Sequence, residues 1–177
     1  MFSPFFVFSI GFSGSRSPSR ASELALRDLL PLVPPRCQVS VGCANGIDRL
    51  VRAYFSGSPS LLVFSVASGR FGSGRSAFAR RSMACVRSVA AGDQGLLVVL
   101  PSSPVCPAGV TPSQRFFGGG SGSWGSAAFA LASGRRILLW LPGSSAPPAW
   151  AGIDWTRWES CWWLGLPVPP SAQLSPF

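Results

Sequence analysis

Five short, almost continuous apolar runs, separated by longer helix-like windows, constrain this chain more than any other feature. They read FFVFSI (5–10), QVSVG (38–42), LLVFSVA (61–67), GLLVVLP (95–101) and RILLWLP (136–142). Apolar runs of this length with little polar alternation are what strands become when both faces of a sheet are covered. The helix-like windows run over about Ser17–Leu30, Gly46–Ser56, Arg75–Ala91 and Ser123–Ser133. In the first, Pro18 suits the first helical position, and Leu24, Leu26, Leu29 and Leu30 supply an apolar stripe. Gly134 suits the residue that closes the last. Strands alternating with helices predict an α/β fold, a mainly parallel sheet of five or six strands with helices on both faces.

Composition agrees with such a core. Of 177 residues, 47% are apolar and 12% charged, which marks a globular chain long enough for one domain. All 15 basic residues are Arg, against six acids, for a net charge of +9. An Arg-biased genome accounts for the preference over Lys but not for the scarcity of acids. The balance favours an anionic partner, either a phosphate-bearing small molecule or nucleic acid. The chain has no His, which removes the commonest metal ligand and the commonest general base near neutral pH. Cys37, Cys43, Cys85, Cys106 and Cys161 form no C-x-x-C pair, so reduced thiols in a cytoplasmic protein are expected rather than a zinc site or disulfide framework. The opening MFSPFFVFSIGF lacks a basic leader and is too short to span a bilayer, so it reads as a first strand with no membrane role.

Two segments break the rhythm. Residues 101–125 are rich in Pro, Gly and Ser and read as a long loop, the kind that often carries function. From about Gly143 the chain holds Trp150, Trp155, Trp158, Trp162 and Trp163 among prolines. This gives a 1–142 domain and a 143–177 extension expected to fold back over the sheet or a helix.

In a parallel sheet, strand C-termini and the following helix N-termini share one edge, where free N–H groups and positive helix ends favour anions. Glycines there let backbone approach a phosphate with no Cβ in the way. This chain has three such turns: GFSGSRSPS (11–19), GCANGID (42–48) and GGGSGSWG (118–125). The third strand leads into SGRFGSGRSAFARRS (68–82), with Arg70, Arg75, Arg80 and Arg81. Gly-rich turns and Arg on one edge describe a pocket for a phosphorylated ligand. There is no Walker-type loop, and GFSGSR gives no G-x-G-x-x-G fingerprint with an acidic residue suitably downstream.

With these residues in view, positions 5–142 resemble the SLOG superfamily, the Rossmann-like group that includes the DprA/Smf DNA-processing proteins and the LOG nucleotide phosphoribohydrolases. Gly14, Ser15 and Arg16 resemble the family's first G-S-R turn. Gly42, Cys43, Ala44, Asn45, Gly46, Ile47 and Asp48 are similar to its G-G-A-x-G-[IV]-D turn. Arg81 is the counterpart of an Arg on the third helix, and Gly119, Gly120, Ser121, Gly122 and Ser123 resemble its late G-G-x-G-T turn. The resemblance implies a Rossmann-like three-layer sandwich that binds a nucleotide-like phosphate at these turns. Gly42 and Gly46 would keep the second turn tight and bare. Asp48 would brace it through backbone N–H groups rather than touch the ligand, and Arg16 and Arg81 would meet phosphate. Many such proteins form homodimers.

The chain departs from the hydrolases where Ser126 stands in place of their catalytic Glu, and no carboxylate lies between Asp93 and Asp154. No catalytic residue, metal ligand or cofactor is therefore assigned. Trp124, next to the last turn, either stacks on a base or packs beneath its helix, with packing favoured. Non-catalytic binding of a nucleotide or nucleotide-derived ligand is the leading expectation. Behind it stand single-stranded DNA or RNA binding, N-glycosidic hydrolysis with an acid from elsewhere (Asp48, Asp154 or Glu159), and a scaffold docking through the Trp-rich tail.

Overall fold

The computed structural model describes residues 7–168. In chain order the elements are β1 (Ser9–Gly14), α1 (Arg20–Leu29), β2 (Gln38–Gly42), α2 (Ile47–Tyr54), β3 (Leu61–Phe64), α3 (Arg75–Arg87), β4 (Gly92–Leu100), α4 (Gly122–Ala132), β5 (Arg135–Trp140), β6 (Ile153–Glu159) and β7 (Trp162–Pro167). They build one seven-stranded sheet in the order β3-β2-β1-β4-β5-β7-β6. The first five strands run parallel, and β7 lies antiparallel to both β5 and β6.

Alternation along the strands divides the core into two layers. Leu96, Val98 and Leu100 of β4 face one side, with Ile10, Phe12, Val39 and Val41, under Leu26 and Leu29 of α1 and Ile47 and Val51 of α2. Leu97 and Val99 face the other, with Ile137 and Leu139, under Val86 of α3 and Trp124, Phe129 and Leu131 of α4. Each such side chain, fully buried, contributes about 1.5–3 kcal/mol of hydrophobic stabilisation. Helix α4 is buried from Ser123 through Leu131, and its small residues Gly125, Ser126, Ala127 and Ala128 let it lie close to the sheet.

The expected elements are present with shifted ends. Strand β1 was expected at 5–10; residues 5 and 6 lie outside the described residues, and the strand runs on to Gly14. The glycines that read as a turn are instead strand glycines. A Cβ on Gly11 would press on Val89 and Leu97, and one on Gly14 would press on Ile47. Helix α1 begins later than expected because Ser19 is its N-cap, accepting the Ser22 N–H at 3.2 Å, which leaves Pro18 before the cap. Strand β3 stops at Phe64 and gives way to a 3₁₀ turn over Val66–Ser68, and as the sheet's edge it leaves Leu62 and Val63 exposed rather than covered.

The strand count is seven rather than five or six, and the two extra strands come from the Trp-rich segment. Its described part does not simply fold over the sheet: β6 and β7 extend it. Trp162 joins the α1–α2 layer. Trp150 joins the α4 layer, set edge-on to Trp124 at 6.0 Å between ring centres and donating its indole N–H to the Val110 carbonyl at 2.9 Å. No helix among the described residues is long and apolar enough to cross a membrane.

Candidate functional site

The sheet order places β1 and β4 side by side, with β1 leading left to β2 and β4 leading right to β5. Crevices in doubly wound sheets open at such reversals, beyond the strand C-termini. A cleft of about 910 Å³ opens there. Its floor is the β1–α1 turn, one wall is the first half of α3, and the other is the start of α4 with the loop before it.

Of the residues expected at the site, Gly14, Ser15, Arg16, Ala44, Asp48, Arg81, Gly120, Gly122 and Ser123 line this cleft. Gly42, Cys43, Gly46 and Gly119 do not. The glycines in this second group are needed for packing. A Cβ on Gly42 would overlap the Arg81 guanidinium and the Asp48 carboxylate, and one on Gly119 would press on Pro107. Gly46 has φ +71° and lies against the Ser15 carbonyl, where a side chain would be both strained and in collision. Cys43 turns away toward the end of β3. Burial would raise its thiol pKa, but hydrogen bonding to Val66 and Ser65 and the nearby Arg81 hold it below the ordinary value.

Ser15 ties three elements together. Its N–H donates to the Leu100 carbonyl at 2.9 Å, its carbonyl accepts the Ile47 N–H at 3.0 Å, and its hydroxyl accepts the Ser17 N–H at 3.1 Å. Asp48 braces the second turn as expected from sequence, its carboxylate accepting the Ala44 N–H at 3.2 Å. Arg52, which sequence reading missed, clamps the same turn by donating to the carbonyls of Gly42 at 2.6 Å and Ala44 at 3.0 Å.

Asp48 also pairs with Arg81 at 3.3 Å, with both side chains at least nine-tenths buried. Burial pushes the Asp48 carboxyl above its ordinary pKa, while Arg81, the Ala44 N–H and Arg52 oppose the shift. The pair leaves the guanidinium incompletely used: the Arg81 Nε is buried and has no hydrogen-bond partner among the described residues. At the α4 end, Ser121 is the N-cap, accepting the Trp124 N–H, and its hydroxyl lies 3.1 Å from that of Ser123. The N–H groups of Gly122 and Ser123 lie in the first helical turn, where no intrahelical carbonyl can reach them.

Electrostatically the cleft is one-sided. Arg16, Arg75 and Arg81 line it against one carboxylate, Asp48, which is already paired. Arg75 reaches it from the start of α3, whereas Arg80 of the same Arg-rich segment turns outward to the Ser76 hydroxyl at 2.7 Å. Two aromatic residues that the motifs did not point to, Phe78 and Phe116, complete the lining.

Trp124 packs beneath its helix, fully buried, with its indole N–H on the Ser103 carbonyl at 3.0 Å. Ser126, at the position of the hydrolases' acid, is also buried and donates to the Gly122 carbonyl at 2.9 Å rather than facing the cleft. Asp154 and Glu159 sit on the outer strand β6 and do not line the cleft. Among the described residues no group of three or more His, Cys, Asp or Glu could hold a metal ion. Comparison with protein-family models, with curated proteins and with solved structures finds no match in any of the three.

Proposed function

We propose that this cleft binds a nucleotide or nucleotide-derived phosphorylated ligand, in a Rossmann-like domain of the SLOG type, without catalysis. The observation that supports it most is convergence. Ser15 and Arg16 from the first junction, Arg81 from α3 and the start of α4 with Ser123 share one cleft. Phosphate oxygens there would meet open helix N–H groups, guanidiniums and serine hydroxyls together. Catalysis is not proposed because the one acid in the cleft is committed to Arg81 and to a backbone N–H.

Thermal unfolding in the presence of mono-, di- and cyclic nucleotides tests the proposal. A true ligand raises the midpoint progressively with concentration, by about 2.7 kcal/mol of added stability at a hundredfold excess over Kd. Arg75→Ala, at an exposed position, should weaken that response without unfolding the protein. No shift with any nucleotide at millimolar concentration defeats the proposal. A response confined to single-stranded oligonucleotides and lost steeply with salt would replace it with nucleic-acid binding.

A further inference from the structure

Two aromatic rings stand among the charged and polar residues that line the cleft. Helix α3 buries Ala77, Arg81 and Cys85 as its inward stripe, and Phe78, one residue off that stripe, remains 42% exposed at the cleft. Such a ring contributes little to the core, yet it is not loose: the Arg16 guanidinium lies over it, 5.3 Å from the ring centre. The second aromatic wall comes from the β4–α4 loop. Phe116 is half-buried there, tilted against Phe129 at 6.3 Å between ring centres. It also fills the space beside Gly125, where a Cβ would press on its ring. One edge of Phe116 is thus fixed by the core while the residue still lines the cleft.

We infer that Phe78 and Phe116 form a base-recognition subsite, so that the ligand is a nucleotide carrying an aromatic base rather than a sugar phosphate or inorganic phosphate. This rests on the anion-binding reading above and adds the chemical class of the uncharged part. The guanidinium of Arg16, over the Phe78 ring, is itself a group on which bases stack. Stacking uses the π-face that every base has, so the subsite separates nucleotides from base-free phosphates more strongly than one base from another.

Calorimetric titration with the four nucleoside monophosphates and with ribose 5-phosphate tests this on the wild type, Phe78→Ala, Phe78→Tyr and Phe116→Leu. The expected result is that the nucleotides bind the wild type at least about tenfold more tightly than ribose 5-phosphate. Phe78→Ala should remove most of that ratio while ribose 5-phosphate affinity stays within about twofold, and Phe78→Tyr should restore it. Phe116→Leu should reduce the ratio in the same direction. Equal binding of nucleotide and ribose 5-phosphate by the wild type overturns the inference and leaves the anion site standing. Equal weakening of both in Phe78→Ala does so too, because the ring would then act only by holding Arg16. Failure of every probe to bind removes both readings together.

Discussion

Arginine is used in opposite ways at the two edges of the sheet. At the edge where β5 begins, Arg135 and Arg136 are surrounded by carbonyl oxygens. Arg135 donates to those of Val89, Ser133 and Arg87 at 2.7, 2.9 and 3.1 Å, the last two at or near the C-terminal ends of α4 and α3. Arg136 reaches the carbonyls of Gly95 and Asp93 and pairs at 3.6 Å with an Asp93 carboxylate that is 97% exposed. These cations sit beside helix C-termini, whose partial charge is negative, and the chain itself satisfies them. At the cleft edge, Arg16, Arg75 and Arg81 gather with helix N-termini, whose partial charge has the same sign as their own. One carboxylate stands against them, and a buried guanidinium N–H has no partner among the described residues. A helix end matched by opposite charge is balanced within the chain; at one matched by like charge, the anion proposed above would supply the balance.

This contrast is open to measurement, beginning with its strongest element. Asp48→Ala would leave Arg81 buried and uncompensated, and should cost about 3–5 kcal/mol in denaturant unfolding. Replacing both members, Asp48→Leu with Arg81→Met, should recover most of that loss. Failure of the double variant to recover would show that the carboxylate's bond to Ala44, not the ion pair, carries the effect. Gly42→Ala should cost about 1–3 kcal/mol, because its methyl group needs the space the pair occupies. A neutral result would mean that Arg81 can move away, and the site would then be far less rigid than the contacts imply.

The pH dependence of Asp48 gives a smaller signal. Its folded-state pKa is raised by burial, so folding takes up a proton. The contribution of the group to stability is full below the unfolded value of about 3.9 and declines as pH rises through the raised folded value. Relative to Asp48→Asn, which cannot titrate, the wild type should therefore lose ground as pH climbs through that window in urea-midpoint measurements. An advantage that grew with pH would show the ion pair outweighing burial. The smallest effect is expected at the opposite edge. Asp93→Ala should leave the unfolding midpoint unchanged within error, since an exposed partner adds little to an arginine already held by carbonyls. A loss comparable to that of Asp48→Ala would erase the distinction between the edges.

How much of this could be read from the chain depended on whether the signal was local. Strand β2 falls on 38–42 as read, because an apolar run ending in glycine needs nothing distant to explain it. Strand β1 was displaced because its glycines answer to Val89, Leu97 and Ile47, residues that no neighbouring sequence reveals. Strands β6 and β7 were not anticipated. Asp154, Arg157 and Glu159 suit an outer edge, but among prolines and tryptophans the alternation around them did not stand out as a strand. At the site, the turns that reach the cleft carried recognisable spacing, whereas Phe78 and Phe116 come to line one cleft only in the folded chain. Gly42 and Gly46 do keep their turn tight, and what the turn makes room for is protein: the Arg81–Asp48 pair at Gly42 and the Ser15 carbonyl at Gly46.

The bond between the Ile47 N–H and the Ser15 carbonyl, together with that from Ser15 to Leu100, has a thermodynamic consequence. It welds the floor of the cleft to strands β1 and β4 and to the start of α2, while the walls come from helices far along the chain. No fragment could reproduce such a receptacle, and partial opening of any one junction would dismantle it. Whatever occupies the cleft should therefore protect the molecule as a whole, slowing exchange of the most shielded amides in the central strands as much as those beside the rim.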